Sequence, residues 1–327
     1  MIANELTRSV VSWYPGATGV TGVAKLSGGA SQETWSFDIV QATGNVGAIL
    51  RRAPSGYGAA PTRAAGLKAE ARLMQLAFEA GLPSPRVLYV LQPSDGLGTG
   101  FVMQRVAGET IARKILRDEE FAEARGRLAR QLGQIAAGIH ALPRAELPQL
   151  RQMTAATEIG ELGREYRSLD WPKPVFELAL RWLADHDPGP PDEVTLVHGD
   201  FRHGNLIIGP DGVRAVLDWE LAHLGDPMED LGWICVNSWR FGEIDKPVGG
   251  FGSREDLYAG YRSAGRKLDP QRVRFYEVLG TLRWGVMCGG MMQRFRTGPD
   301  HSMERAMIGR RASETEIDLL RLLAPRK

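Results

Sequence analysis

The chain has 327 residues, 43% of them hydrophobic and 24% charged, with a formal net charge of +1. Such a length and composition provide a substantial core and room for two domains, and exclude an intrinsically disordered chain. The near-zero charge leaves no electrostatic footprint for nucleic acid or an anionic membrane, and no apolar run is long enough to span a bilayer.

In chain order, residues 1–16 carry Glu5, Arg8 and Trp13 where a signal peptide would have a basic segment and an apolar stretch. A cytoplasmic location is therefore expected. Lys25-Leu26-Ser27-Gly28-Gly29-Ala30-Ser31 follows as a small-residue loop feeding a strand over 33–39. Around Gly28, Gly29 and Ser31 the backbone N–H groups are unobstructed and can form a nest for phosphates, with a plain hairpin turn as the alternative. A strand over 47–52 ends in Arg51 and Arg52, and a helix over 63–80 carries Glu70. Strand candidates at 87–91 and 101–106 flank a glycine-rich stretch that lacks the following helix a dinucleotide loop requires, so it reads as a hairpin. Thereafter the chain turns helical. Leu128, Leu132, Ile135, Ile139 and Leu142 recur at three- and four-residue steps in a helix that ends before Pro143. Further helices are expected at 176–186, 254–265, 270–295 and 302–323. Residues 239–253, with their glycines and Pro247, read as a long surface loop able to line a pocket. Cys235 and Cys288 lie in apolar segments and read as reduced structural thiols. No G-x-x-x-x-G-K-[ST] segment occurs, which argues against a Walker-type nucleotide fold.

The segment His198-Gly199-Asp200-x-x-x-x-Asn205 and the later Asp218-Trp219-Glu220 carry the chemistry. Two apolar runs, 206–208 and 213–217, joined by Gly209-Pro210-Asp211-Gly212, read as a hairpin. It places Asn205 at the start of one strand and Asp218 at the end of the other, so both hard oxygen donors reach the same edge, where a magnesium ion could be shared. Protein kinases use H-R-D-x-x-x-x-N and D-F-G in these slots, the first for the hydroxyl base and one metal ligand, the second for the other. Singly, each residue reads as well as a turn, a cap or a loop amide. Together with Gly225-Asp226-Pro227-x-x-Asp230, they point to phosphoryl transfer. Asp200 would accept or orient the acceptor's proton, and Arg202 would neutralise transition-state charge. Arg51 takes the place of the kinase strand lysine and Glu70 that of the helix glutamate that pairs with it. Gly199 replaces the arginine that pairs with an activation-loop phosphate in many protein kinases, so control of that kind has no partner. Asp226 and Asp230 read as structural anchors of a helix beginning near Met228, and His198, His203 and His223 as structural.

These motifs resemble the aminoglycoside phosphotransferase and choline kinase superfamily. The resemblance implies an α+β, two-lobed protein-kinase-like fold, with a nucleotide-binding lobe at 1–107 and a mostly helical lobe at 108–327 holding the catalytic loop and acceptor site. It also implies a hinge at Met103-Gln104-Arg105-Val106-Ala107-Gly108, where Gln104 and Val106 would face the adenine edge, with ATP and Mg2+ as cofactors. Leu-Ser-Gly-Gly-Ala-Ser, Leu-Arg-Arg, His-Gly-Asp-Phe-Arg and Leu-Asp-Trp-Glu are most similar to the branch found beside or fused to acyl-CoA dehydrogenases. That branch implies a small-molecule hydroxyl acceptor linked to CoA; Arg294, Arg296, Arg310 and Arg311 read either as solvated helix faces or as cations able to meet CoA phosphates. An aminoglycoside or amino-alcohol kinase, a nucleotide-binding pseudokinase and a hydrolytic or carrier protein that binds CoA without using ATP remain the alternatives.

Overall fold

The computed structural model describes residues 2–26, 32–53, 63–298 and 301–324. It opens on α1 (Ile2–Trp13), which is not among the expected helices; Leu6 and Val10, one helical turn apart, are its buried stripe. Strands β1 (Ala17–Leu26), β2 (Glu33–Gln41) and β3 (Val46–Ala53), helix α2 (Leu67–Glu79), and strands β4 (Val87–Val90) and β5 (Thr99–Gln104) follow. The five strands form one antiparallel sheet in the order β1-β2-β3-β5-β4. Lys25 and Leu26, expected in a loop, close β1.

Period-two alternation decides what each face of the sheet does. Phe37, Ile39, Ala48, Leu50 and Val102 form one core with Leu6 and Val10 of α1. Ile49, Phe101 and Met103 point the other way and join Ala71 and Met74 of α2. Arg51, two residues after Ile49, therefore shares the α2 face and reaches the cleft.

The remainder consists of α3 (Ala112–Arg117), α4 (Ala122–His140), α5 (Ala155–Ser168), α6 (Pro174–Asp185), β6 (Thr195–Val197), β7 (Leu206–Gly209), β8 (Gly212–Val216), β9 (His223–Gly225), α7 (Met228–Trp233), α8 (Arg254–Ser263), α9 (Pro270–Thr297), α10 (Met303–Gly309) and α11 (Ala312–Leu323). β6 pairs with β9 and β7 with β8, both antiparallel. The single helix expected at 302–323 is two, and the turn between them sets the Arg311 guanidinium 5.7 Å from the centre of the Trp284 ring. Residues 239–253 are not a surface loop throughout: Trp239, Val248 and Phe251 are buried in the helical lobe. Their apolar area outweighs the loop-forming glycines.

Helices α4 and α8 cross at glycines. A Cβ on Gly133 would lie 2.1 Å from the Leu257 carbonyl oxygen, and one on Gly260 would lie 2.0 Å from that of Arg130. This backbone-to-backbone approach brings the Tyr261 hydroxyl to 2.9 Å from His140 Nδ1. Gly133→Ala should therefore destabilise the fold by about 1–3 kcal/mol, as overpacking a close contact does, and lower the melting temperature accordingly. An unchanged thermal unfolding curve would show that the crossing tolerates the extra carbon.

Candidate active site

The loop after β6 is held from behind. Asp230, on α7, accepts the backbone N–H of His198 (2.8 Å) and of Gly199 (3.0 Å), and its Oδ2 lies 3.1 Å from His140 Nε2. Burial pushes its carboxyl up, but the bond with His140 and the charges of His140 and His198 prevail and hold it below the usual carboxylate range. Gly199 has φ +80°, and a Cβ there would lie 2.5 Å from the Leu221 carbonyl oxygen, so the turn presenting Asp200 requires glycine. Asp226 caps α7 through the Met228 N–H at 2.9 Å and binds Arg272 of α9 at 2.6 Å. Asp226 thus acts as the expected anchor, whereas Asp230 anchors the loop instead of the helix start.

Asp200 is fixed through both carboxylate oxygens. Oδ1 accepts Arg202 Nε at 2.9 Å and the indole N–H of Trp233 at 2.8 Å, and Oδ2 accepts Asn205 Nδ2 at 2.6 Å. Asn205 Nδ2 also donates to the Asp200 carbonyl at 2.9 Å. The expected hairpin is present as β7 and β8, and its open end is closed by the Leu217 N–H donating to the Asn205 carbonyl at 2.8 Å. Asp218 follows immediately in a left-handed conformation, φ 63°. Turned into the cleft, it accepts Arg51 Nη2 at 2.6 Å.

Arg51 is the hub of the opposite wall. Its Nε lies 3.2 Å from Glu70 and 2.6 Å from the Gln32 side-chain oxygen, and its Nη2 lies 3.4 Å from Glu220. Glu70 is buried, with Oε1 toward Arg51. Burial is the main reason its carboxyl is pushed up to about 8; Arg51 opposes the shift, while Asp218 and Glu220 add to it. Glu220 is raised in the same way, by burial and then by Asp218.

Between the sheet and the hairpin lies a cavity of about 350 Å³. Its walls include Leu26, Ile49, Met103, Ile207 and Leu217, with Gln104 and Val106 along one side and Arg51, Glu70 and Asp218 at one end. Among the described residues nothing accepts the Val106 N–H, which leaves a backbone donor beside the cavity. Just beyond, Glu109 exchanges two backbone hydrogen bonds with Ile208 (2.8 and 2.9 Å), fastening the chain leaving the sheet to the hairpin.

The structure thus gathers Asp200, Arg202, Asn205, Asp218, Arg51 and Glu70 into one cleft with Gln104 and Val106 along it. Gly28, Gly29 and Ser31 lie outside the described residues. Arg202 is directed at Asp200 and stacks on Trp239, 4.7 Å from the ring centre. His203 is buried, its pKa driven down to about 4 by burial, and it bonds the Trp239 carbonyl at 3.2 Å. Trp233, Trp239 and Gln32 are site residues that the motifs do not point to. The helical spacing of Trp233 from Asp230, three residues on, was the available signal, since it puts both on one face of α7.

Asn205 and Asp218 offer the oxygen donors that magnesium prefers. Among the described residues, no group of three or more His, Cys, Asp or Glu could hold a metal by itself. That fits an ion which keeps waters and shares phosphate oxygens instead of one held in a protein cage.

Residues 22–270 match the phosphotransferase enzyme family, APH, and the chain belongs to that family. That family is one of phosphotransferase enzymes. It is 31% identical over 202 residues to acyl-CoA dehydrogenase family member 10 of Mus musculus, covering 58% of this chain and 18% of that protein. Across the acyl-CoA dehydrogenase family members 10 and 11 that it matches, it spans between 18% and 34% of their length. A solved chain from Ralstonia eutropha shares the fold at TM-score 0.75 and 20% identity, covering 98% of this chain and 97% of that one. The aminoglycoside phosphotransferase APH(4)-Ia, solved with AMP-PNP and hygromycin B, does so at TM-score 0.64 and 18% identity, covering 99% and 100%. The two-lobed kinase-like fold is therefore established. Among the described residues, no helix is long and apolar enough to cross a membrane.

The buried Glu70 carboxyl gives a pH prediction. A folded-state pKa raised from 4.5 to about 8 means that the native chain binds the extra proton, so this contribution is complete below 4.5 and is lost as pH rises toward 8. Thermal unfolding of the ligand-free protein between pH 5 and about 8.5 should show a smaller loss of stability for Glu70→Gln than for the unaltered chain. Parallel curves would mean that Glu70 stays ionised against Arg51.

Proposed function

We propose that this chain transfers the γ-phosphoryl group of ATP to the hydroxyl of an acyl group carried on CoA. The observation supporting phosphoryl transfer here is the double role of Asn205: its side chain holds Asp200, and its carbonyl closes the hairpin that presents Asp218. An acceptor-side carboxylate and a phosphate-side carboxylate are thereby locked to one residue. Among the described residues Asp200 Oδ2 accepts from one donor, Asn205, and so retains capacity for the acceptor's O–H. In this reading Asp200 orients the acceptor oxygen toward the γ-phosphorus and receives its proton as the bond to the leaving ADP oxygen breaks. Arg51, with Glu70 behind it, moves its charge onto the phosphates, and Val106 offers its N–H to the adenine edge beside Gln104. Asn205 and Asp218 would hold magnesium, which neutralises phosphate charge when bound.

Two features support a CoA-linked acceptor over a polycationic one. The wall next to Asp200 carries Arg202 on Trp239 and, beyond it, Arg311 on Trp284. Arg294, Arg296 and Arg310 are exposed at the ends of α9 and α10, where they could meet phosphates. The relatives named for acyl-CoA dehydrogenases support this acceptor class. ATP consumption measured against hydroxyacyl-CoAs, amino alcohols and aminoglycosides tests it; turnover confined to the last two would overturn the CoA assignment.

Asp200→Asn should lower turnover on the order of a hundredfold or more while ATP with magnesium still raises the melting temperature. Turnover retained with an active acceptor would remove Asp200 from the role of base. Asp218→Asn is nearly isosteric but removes a charge opposite both Arg51 and the cation, so it should abolish turnover at low magnesium and leave folding intact. Normal activity at low magnesium would remove Asp218 from the metal site.

A further inference from the structure

Behind Asp200 lies a column of side chains that the motif residues do not include. The Trp233 indole, 3% exposed, donates to Asp200 Oδ1 at 2.8 Å. On its face sits the Arg283 guanidinium, 3.9 Å from the ring centre. Arg283, on α9, is itself fixed: Nη1 binds Glu158 (3.1 Å) and Glu229 (2.9 Å), and Nη2 donates to the Gly199 carbonyl at 2.9 Å. Glu229 in turn meets His223 Nε2 at 3.1 Å. One buried cation therefore grips the backbone just before Asp200 and the ring that holds its carboxylate.

We infer that Trp233 is a positioning residue for Asp200, and that Arg283 sets the plane of its ring. The lone pairs of the carboxylate decide its orientation. Arg202 and Trp233 together occupy Oδ1, and Asn205 takes one site on Oδ2, so the carboxylate cannot rotate without breaking three hydrogen bonds. The remaining acceptor capacity is then confined to Oδ2, giving the incoming hydroxyl one direction of approach. A guanidinium over the indole face is attracted to the ring and holds its N–H edge toward the loop. Purely hydrophobic packing would need an aromatic ring here but no N–H.

This inference rests on Asp200 being the acceptor-side base, and the test separates the two. Trp233→Phe keeps the ring and removes the N–H. Turnover of Mg-ATP, measured as ADP release with water as acceptor and with any active hydroxyl substrate, should fall on the order of tenfold, the scale of one charge-assisted hydrogen bond. The KM for ATP and the melting shift caused by Mg-ATP should stay as in the unaltered chain. If Asp200→Asn is inactive and Trp233→Phe is not impaired, the Trp233 role is overturned while the base stands. If Asp200→Asn is as active as the unaltered chain, the base assignment itself fails.

A second measurement leaves Trp233 in place and needs no acceptor. In the 15N-labelled protein, one of the 8 tryptophan indole N–H resonances should move when Asp200 becomes Asn, because its acceptor changes from a charged to a neutral oxygen. All indole resonances remaining in place would overturn the inference.

Discussion

The buried carboxylate of Asp230 is the point on which the catalytic loop depends. It satisfies the N–H groups of two consecutive residues, His198 and Gly199, and takes the His140 ring from α4. His140 passes the constraint to Tyr261 on α8. Loss of that carboxylate would orphan two buried donors in one step, a far larger penalty than the net worth of either bond. Three residues further along α7, Trp233 holds the Asp200 side chain. A single short helix thus fixes both the backbone of the loop and the carboxylate it displays.

The parts of this site that are local in sequence were legible. Asn205 and Asp218 flank one hairpin, and turn chemistry with two apolar runs is enough to place them together. Arg51 and Glu70 were legible by a different route, from the kinase template's strand cation and helix glutamate. Trp233 and Arg283 were not, because they meet only through the packing of α7 on α9, and nothing in either helix's sequence announces the other. The segment at 239–253 misled for a related reason: glycine and proline describe backbone freedom, whereas Trp239 and Phe251 are placed by what they bury against. Helix α1 carries too short an apolar stripe to stand out without the sheet that receives it.

Composition conceals how the charge is arranged. A net charge of +1 suggests an unremarkable surface, yet Arg51, Arg240, Arg272 and Arg283 are all largely withdrawn from water and matched to Glu70, Glu277, Asp226 and Glu229. Such pairs contribute little net stability after desolvation, but breaking one leaves an uncompensated charge inside. In this chain they act as registration pins between elements, and two of the four, Arg51 and Arg283, stand within or directly behind the loop and cleft of the site.

The contact between Arg51 and Asp218 has a further consequence. The sheet lobe is tied across the cleft by this ion pair and by the Ala65 N–H bonded to the Glu220 carbonyl at 2.7 Å. The carboxylate proposed to receive a cation is thus already neutralised by one from the protein itself. A metal ion arriving alone gains only the difference between two ion pairs, because the displaced guanidinium would be left beside the neutral Gln32 amide and the raised carboxyls of Glu70 and Glu220. A metal ion arriving with phosphates gives that guanidinium a new anion at the same moment. Under the proposed roles the cleft behaves as a coincidence detector, nearly indifferent to either component alone and responsive to the two together.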